Sequence, residues 1–234
     1  MITTVLFDLD GTLLPMDQER FIKAYLGRMA KKLAPHGYNP ESLTKAIWMG
    51  TGAMVKNDGT QTNEPLFWAV FNKAMGRDCQ QDEALFLDYY RNEFQLVAQD
   101  CGFDPAAAQA IALLKEKGMT PVLATNPLFP AIATQSRAKW AGLDPDDFAL
   151  ITTYENSRHS KPNPDYYRDI LATLDVKPEN CLMVGNDVQE DMVAQTVGMQ
   201  VFLLTPCMIN RTGEDISRFP HGDFQELMTF IREL

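Results

Sequence analysis

The sequence predicts an α/β protein: a doubly wound, mostly parallel sheet accompanied by a smaller unit built only of helices. Three observations carry that expectation. Short runs that are apolar on both faces recur along the chain, and helix-length stretches separate most of them. One long segment after the first run breaks the alternation and carries helical patterns alone.

The expected strands lie at residues 3–8, 120–125, 149–153, 181–185 and 200–204, each short, apolar and rich in β-branched residues. Helices are expected between them. The clearest opens after Asp104, a capping residue, with Pro105 at the first helical position, and runs to Lys117 before Gly118. Others are expected at about 130–141, 163–174 and 188–197. Within residues 15–100, Phe21, Tyr25, Met29 and Leu33 share one helical face. Leu66, Phe67, Val70, Phe71 and Met75 mark a second face, and Leu85, Tyr89 and Leu96 a third. Punctuation rich in Gly and polar residues at 50–64 separates two of the four helical patterns. The expected division is residues 1–14 with 103–234 as one α/β core, and 15–102 as a helical cap whose aromatic stripes form its own core.

Composition excludes several classes of function. Hydrophobic residues make up 45% of the 234 positions and charged residues 22%, which fits a folded globular chain and not a disordered or fibrous one. The net charge of −10 argues against a nucleic-acid polymer as partner, because such binding draws its affinity from Lys and Arg. No run reaches the roughly 18 uncharged apolar residues of a membrane span, and the first residues lack the basic flank of a signal peptide. A cytoplasmic location with no membrane partner is therefore expected. Cys79, Cys101, Cys181 and Cys207 are too far apart for a C-x-x-C pair and are expected to be reduced packing residues; His36, His159 and His221 lack zinc-hydrolase spacing.

The chemistry concentrates at strand ends. Asp8-Leu9-Asp10-Gly11-Thr12 closes the first strand, and residues two apart leave a strand on the same face, so Asp8 and Asp10 emerge side by side. Ligands of open α/β sheets bind at those carboxyl ends. Two adjacent carboxylates repel, which points to a cation or to an acid/base pair, although an Asp-Gly turn alone is common. Thr125-Asn126 closes the second core strand with a hydroxyl and amide donors suited to an anion. Lys161 lies in the rigid segment Ser160-Lys161-Pro162-Asn163-Pro164, and Gly185-Asn186-Asp187-Val188-Gln189-Glu190-Asp191 places further carboxylates at the end of another strand. Each has a bland reading by itself, as a turn hydroxyl, a solvated lysine or a capping acid. Their shared position at strand ends, in this order, makes coincidence a poor account.

These four motifs, with the core-plus-insert layout over nearly the whole chain, resemble the haloacid dehalogenase superfamily, in its phosphatase-type subgroup with a helical cap after the first motif. The resemblance implies that Asp8 is a nucleophile forming an aspartyl-phosphate and that Asp10 first protonates the leaving alkoxide and then activates water. It implies that Thr125, with backbone amides around Gly11 and Asn126, binds the phosphoryl oxygens and that Lys161 offsets their charge. Mg²⁺ would be held by the Asp8 carboxylate, the Asp10 carbonyl and Asp187. Thr12 would help orient Asp10. Asn186 stands where many members carry an acid, so Asp187 either takes the metal alone or is helped by Asn186; Asp191 would orient Lys161 or a metal-bound water.

The presence of Asp10 favours phosphomonoesters over halides, since an alcohol needs a proton to leave. A Mg²⁺-dependent phosphatase of a small phosphate ester, such as a sugar phosphate, phosphoglycolate or a nucleotide, is therefore expected. The alternatives are a phosphomutase with the same motifs and, from another class, a phosphoryl-binding regulatory protein without turnover. Specificity would reside in residues 15–100, where Met16, Asp17 and Arg20 follow the first motif and Gly50-Thr51-Gly52 reads as a loop reaching the pocket or as a linker.

Overall fold

A computed structural model describes residues 1–234. Five parallel strands form one sheet: β1 (Thr4–Phe7), β2 (Thr120–Leu123), β3 (Cys181–Gly185), β4 (Gln200–Leu204) and β5 (His221–Gly222), in the order β2-β1-β3-β4-β5. The chain leaves β1 for the β2 edge and then returns to the other side of β1. This reversal opens a crevice beyond the carboxyl ends of β1, β2 and β3, where open sheets bind ligands.

Alternation along the strands builds two apolar layers. Val5, Phe7, Leu182, Val184, Phe202 and Leu204 face α5 (Pro105–Glu116) and α8 (Phe224–Glu233). Leu6, Val122, Met183, Val201 and Leu203 face the other way, against α7 (Pro164–Leu174). A sheet covered on both faces explains why its strands read as continuous apolar runs. Asp104 caps α5 with Pro at the first helical turn, as its sequence predicts, and Asn163 caps α7 in the same way.

Between β1 and α5 the chain inserts four helices: α1 (Gln18–Leu33), α2 (Pro40–Val55), α3 (Asn63–Met75) and α4 (Glu83–Arg91). Phe21, Tyr25, Met29 and Leu33 bury one stripe of α1 against Tyr38, Trp68, Phe71, Phe86, Tyr89 and Phe94. That cluster also takes in Ala133 of α6 (Ala131–Trp140), so the helical insert rests on the sheet-bearing part. The two connections run alongside each other, with Met16 bridging Cys101 and Gly102 N–H donating to the Pro15 carbonyl at 2.6 Å. A second tie is polar. Asn63, fully buried, donates Nδ2 to the Pro127 carbonyl at 3.1 Å and to Ser160 Oγ at 3.2 Å, while Ser160 Oγ donates to the Met54 carbonyl.

Four expectations are corrected. Residues 149–153 form no strand; Ile151 makes a single bridge to Leu123. Residues 188–197 are a turn followed by a 3₁₀ stretch at Met192–Val197. Gly50, Thr51 and Gly52 lie inside α2, where a Cβ on Gly50 would come within 2.6 Å of the Phe67 ring, so close helix packing and not a linker explains that glycine. The third helical stretch breaks at Asn92, and Leu96 is exposed. The sequence pattern also missed α8, whose start is fixed by a capping box between Asp223 and Glu226.

Candidate active site

The loops after β1, β2 and β3, with the segment before α7 that carries Lys161, bring all four motifs together. Asp8 N–H still bonds the Val184 carbonyl across the sheet, so the carboxylate leaves from a rigid strand end. Its Oδ1 accepts from Lys161 Nζ at 2.9 Å and its Oδ2 from Thr12 Oγ1 at 3.2 Å. Thr12 Oγ1 is also 2.9 Å from Asn186 Oδ1, and Asn186 Nδ2 donates to the Cys207 carbonyl at 2.7 Å. Both ends of the Asn186 amide are thus engaged in joining loops. Thr12 touches Asp8 and Asn186, and the orientation of Asp10 falls to another residue. Gly11 is required here: its φ is +89°, and a Cβ would lie 2.4 Å from Asn186 Nδ2.

Lys161 is almost wholly buried between two carboxylates, with Asp191 Oδ1 at 2.7 Å. Burial opposes its charge, and Asp191 and Asp8 outweigh that, holding the ammonium well above the ordinary lysine range. Asp191 Oδ2 accepts the Asp187 N–H at 2.9 Å, so Asp191 fixes both the lysine and the turn that presents Asp187. Asp187 Oδ1 in turn accepts the N–H groups of Gln189 and Glu190, each at 3.0 Å. These local bonds are what replaces the expected helix.

Thr125 is held by its carbonyl, which accepts from Thr152 Oγ1 and Tyr166 Oη, while its hydroxyl makes no hydrogen bond within the protein. Asn126 Nδ2 donates to Glu190 Oε2 at 3.0 Å, and its Oδ1 is buried without a partner. Burial and the neighbouring Asp187 push the Glu190 carboxyl up, against the pull of Lys161 and Arg211.

Two arginines complete the site without having been identified from the sequence. Arg137 of α6 is fully buried and donates Nη1 to Asp10 Oδ2, with its guanidinium 4.3 Å from the Phe129 ring centroid. Burial pushes the Asp10 carboxyl up, Arg137 pulls it down and Asp8 adds to the rise; the net direction is upward. The other oxygen, Asp10 Oδ1, is buried with no partner. Arg211 donates Nη1 to Asp187 Oδ2 at 2.5 Å and lies 3.6 Å from Glu190. Neither carries a local signal: Arg137 sits in a weakly patterned helix among small residues, and Arg211 in the loop between β4 and β5. Met16 lines the site, Asp17 caps α1, and Arg20 is exposed and pairs with Asp100.

No three His, Cys, Asp or Glu side chains converge as a metal cluster. Asp8 and Asp187 nevertheless line the same cavity, and the Asp10 main-chain carbonyl accepts no hydrogen bond from the protein. Two carboxylates and an uncommitted carbonyl suit a hard cation that retains water, and Arg211 now supplies positive charge at Asp187. The donor set fits Mg²⁺.

Above these groups lies a cavity of about 260 Å³, walled by Asp8, Asp10, Thr125, Asn126, Asp187 and Arg211 at the sheet end and by side chains of α1 to α4 at the other. No helix is long and apolar enough to cross a membrane, and all four cysteines are free.

Residues 2–194 match the model of a family described as haloacid dehalogenase-like hydrolase. The chain is 26% identical to a ribulose-1,5-bisphosphate 5-phosphatase of Halopiger xanaduensis, over 88% of this chain and 86% of that one. It is 24% identical to a phosphoglycolate phosphatase of Colwellia psychrerythraea, over 92% and 88%. Among solved structures, a 2-haloacid dehalogenase from Pseudomonas syringae pv. tomato superposes with a TM-score of 0.65 at 20% identity, covering 100% of this chain and 99% of that one.

Proposed function

The chain belongs to the haloacid dehalogenase-like hydrolases and acts as a phosphatase, and from that footing we propose that it hydrolyses a small phosphomonoester by way of an aspartyl-phosphate on Asp8. One observation carries the reading: Asp8 and Asp10 leave the same strand end into one cavity, while buried Lys161 is bonded to the Asp8 carboxylate.

Attack of an Asp8 oxygen on phosphorus forms a carboxylate–phosphorus bond as the bond to the ester oxygen breaks. The departing oxygen takes a proton from Asp10, whose carboxyl burial pushes up and whose Oδ1 is not otherwise engaged. Water then attacks the aspartyl-phosphate, giving its proton to Asp10 and releasing phosphate, so the acid returns to its starting state. Lys161 offsets charge at Asp8 throughout, held in place by Asp191. The unpaired Thr125 hydroxyl and the amides near Gly11 and Asn126 are the donors for phosphoryl oxygens. Mg²⁺, held by Asp8, the Asp10 carbonyl and Asp187, would supply neutralising charge when bound. Arg137 keeps Asp10 aimed, a task that the sequence reading gives to Thr12.

The test is release of inorganic phosphate from a panel of phosphate esters with Mg²⁺, by the wild type and by Asp8→Asn. Release by the wild type alone is expected. Persistence in Asp8→Asn would remove the nucleophile assignment, and an isomerised product without free phosphate would identify a mutase.

A further inference from the structure

The end of the cavity that must receive the leaving group is aromatic and no cationic side chain opens onto it; Arg137 lies behind the Phe129 ring, committed to Asp10. Phe21 and Tyr25 of α1, Phe67 and Trp68 of α3, Phe86 of α4 and, from the sheet side, Phe129 form its walls. The rings are packed in edge and stacked pairs: Tyr25 against Phe129 with centroids 5.3 Å apart, and Trp68 against Phe86 at 5.5 Å. The polar side chains here are few, and the charged one contributed by the helices is Glu83.

Charge separates the possible substrates sharply. Among the lining residues the single cation is Arg211, already engaged by Asp187 and Glu190 at the phosphoryl end. The basic residues of the insert lie elsewhere; Arg20 and Lys32, for instance, pair with Asp100, Asp88 and Glu93. A glycolate carboxylate or a second phosphate would therefore be desolvated against aromatic rings, with Glu83 nearby and no cation free to pair with it, Arg137 being buried and bound to Asp10. A neutral ring system would instead bury apolar area and gain the edge-to-face contacts that such walls offer.

Resting on the phosphatase reading, we propose that the substrate is the monophosphate of a bulky, uncharged, ring-bearing alcohol, and that compact esters carrying a second anionic group are poor substrates. Asp10 serves such an ester as it serves any alkyl phosphate, because the alkoxide that leaves must be protonated. The class differs from those named for the two phosphatase relatives, whose named substrates both carry a second acidic group.

The experiment compares 2-(2-naphthyl)ethyl phosphate with glycerol 3-phosphate and phosphoglycolate, all esters of primary alcohols, under Mg²⁺. A kcat/KM at least about tenfold higher for the naphthyl ester is expected. Equal or better turnover of phosphoglycolate overturns the proposal and leaves the phosphatase reading intact. If no ester releases phosphate, the phosphatase reading fails, and binding still decides the present one. The non-hydrolysable naphthylethyl phosphonate should then bind at least about tenfold more tightly than phosphonoacetate, and equal affinity would overturn it. Thr51→Arg, a cation added on the cavity side of α2, should raise kcat/KM for phosphoglycolate and lower it for the naphthyl ester. No change in that ratio, in a variant with wild-type circular dichroism, counts against the proposal.

Discussion

Arg137 and Asp10 form an ion pair in which the guanidinium has no solvent exposure and the carboxylate faces the cavity. The other two nitrogens of Arg137 each bond within α6, Nε to the Ala133 carbonyl and Nη2 to Thr134 Oγ1, so the fork is fixed before any substrate arrives. Arg137→Met should cost about 3 kcal/mol in denaturant unfolding, because a buried partner is removed. It should also lower kcat more than it raises KM, since Asp10 loses its aim and not its contact with the ground state. Arg137→Lys should recover charge without the fork and so only part of kcat. A variant with wild-type kcat would show that Asp10 needs no such support.

Arg211 and a divalent cation would compete for the same oxygen of Asp187. Arg211→Ala should therefore reduce the Mg²⁺ concentration needed for half-maximal thermal stabilisation by several fold, although the mutated side chain is itself half-exposed. A higher Mg²⁺ requirement would show that Arg211 helps to hold the ion.

Gly185 ends β3 directly under Asp191, and a Cβ there would fall 2.1 Å from Asp191 Oδ2. Asp191 has nowhere to go, being tied to Lys161 and the Asp187 N–H. Gly185→Ala is expected to destabilise by about 1–3 kcal/mol, the usual overpacking cost. Its activity should fall further than the unfolded fraction accounts for, as measured by phosphate release at a temperature where circular dichroism shows a folded protein.

Burial pushes the Cys101 and Cys181 thiols up to about 11, with Asp10 adding to the rise at Cys101 and Glu179 at Cys181. At pH 8 roughly 0.1% of each is thiolate, against about a quarter of an unperturbed thiol, so reaction with a disulfide reagent should be about 200-fold slower than for free cysteine. Labelling should accelerate as pH rises and on unfolding. The linkage has one sign: the folded thiols stay protonated where the unfolded ones ionise, so this contribution to stability is complete below about pH 8.5 and is lost as pH rises toward 11. Fast labelling of Cys101 in the native protein at pH 8 would contradict this.

The legible parts of the molecule were those fixed by local pattern. Strand ends bearing Asp8, Asp10, Thr125 and Asp187 could be found because apolar runs stop where chemistry begins. The misread parts depend on contacts distant in sequence. Residues 188–197 have helical composition, yet Asp187 captures the Gln189 and Glu190 amides and Lys161 draws in Asp191, which together outcompete a helical turn. Gly50 and Gly52 read as punctuation because the partner of Gly50, the Phe67 ring, lies on another helix. Arg137 was invisible for the same reason: its partner lies 127 positions away.

The two acceptors of Asn63 have a consequence for binding. Pro127 stands two residues beyond Thr125, and Ser160 immediately precedes Lys161, so one buried amide joins the helical insert to both loops that would grip a phosphoryl group. Seating of the insert and correct spacing of those loops thereby become one equilibrium. By linkage, whatever factor the seated insert adds to phosphoryl affinity, an occupied phosphoryl site must return to the seated insert. A bare phosphate ion, touching no aromatic wall, should therefore still slow amide hydrogen exchange in α3.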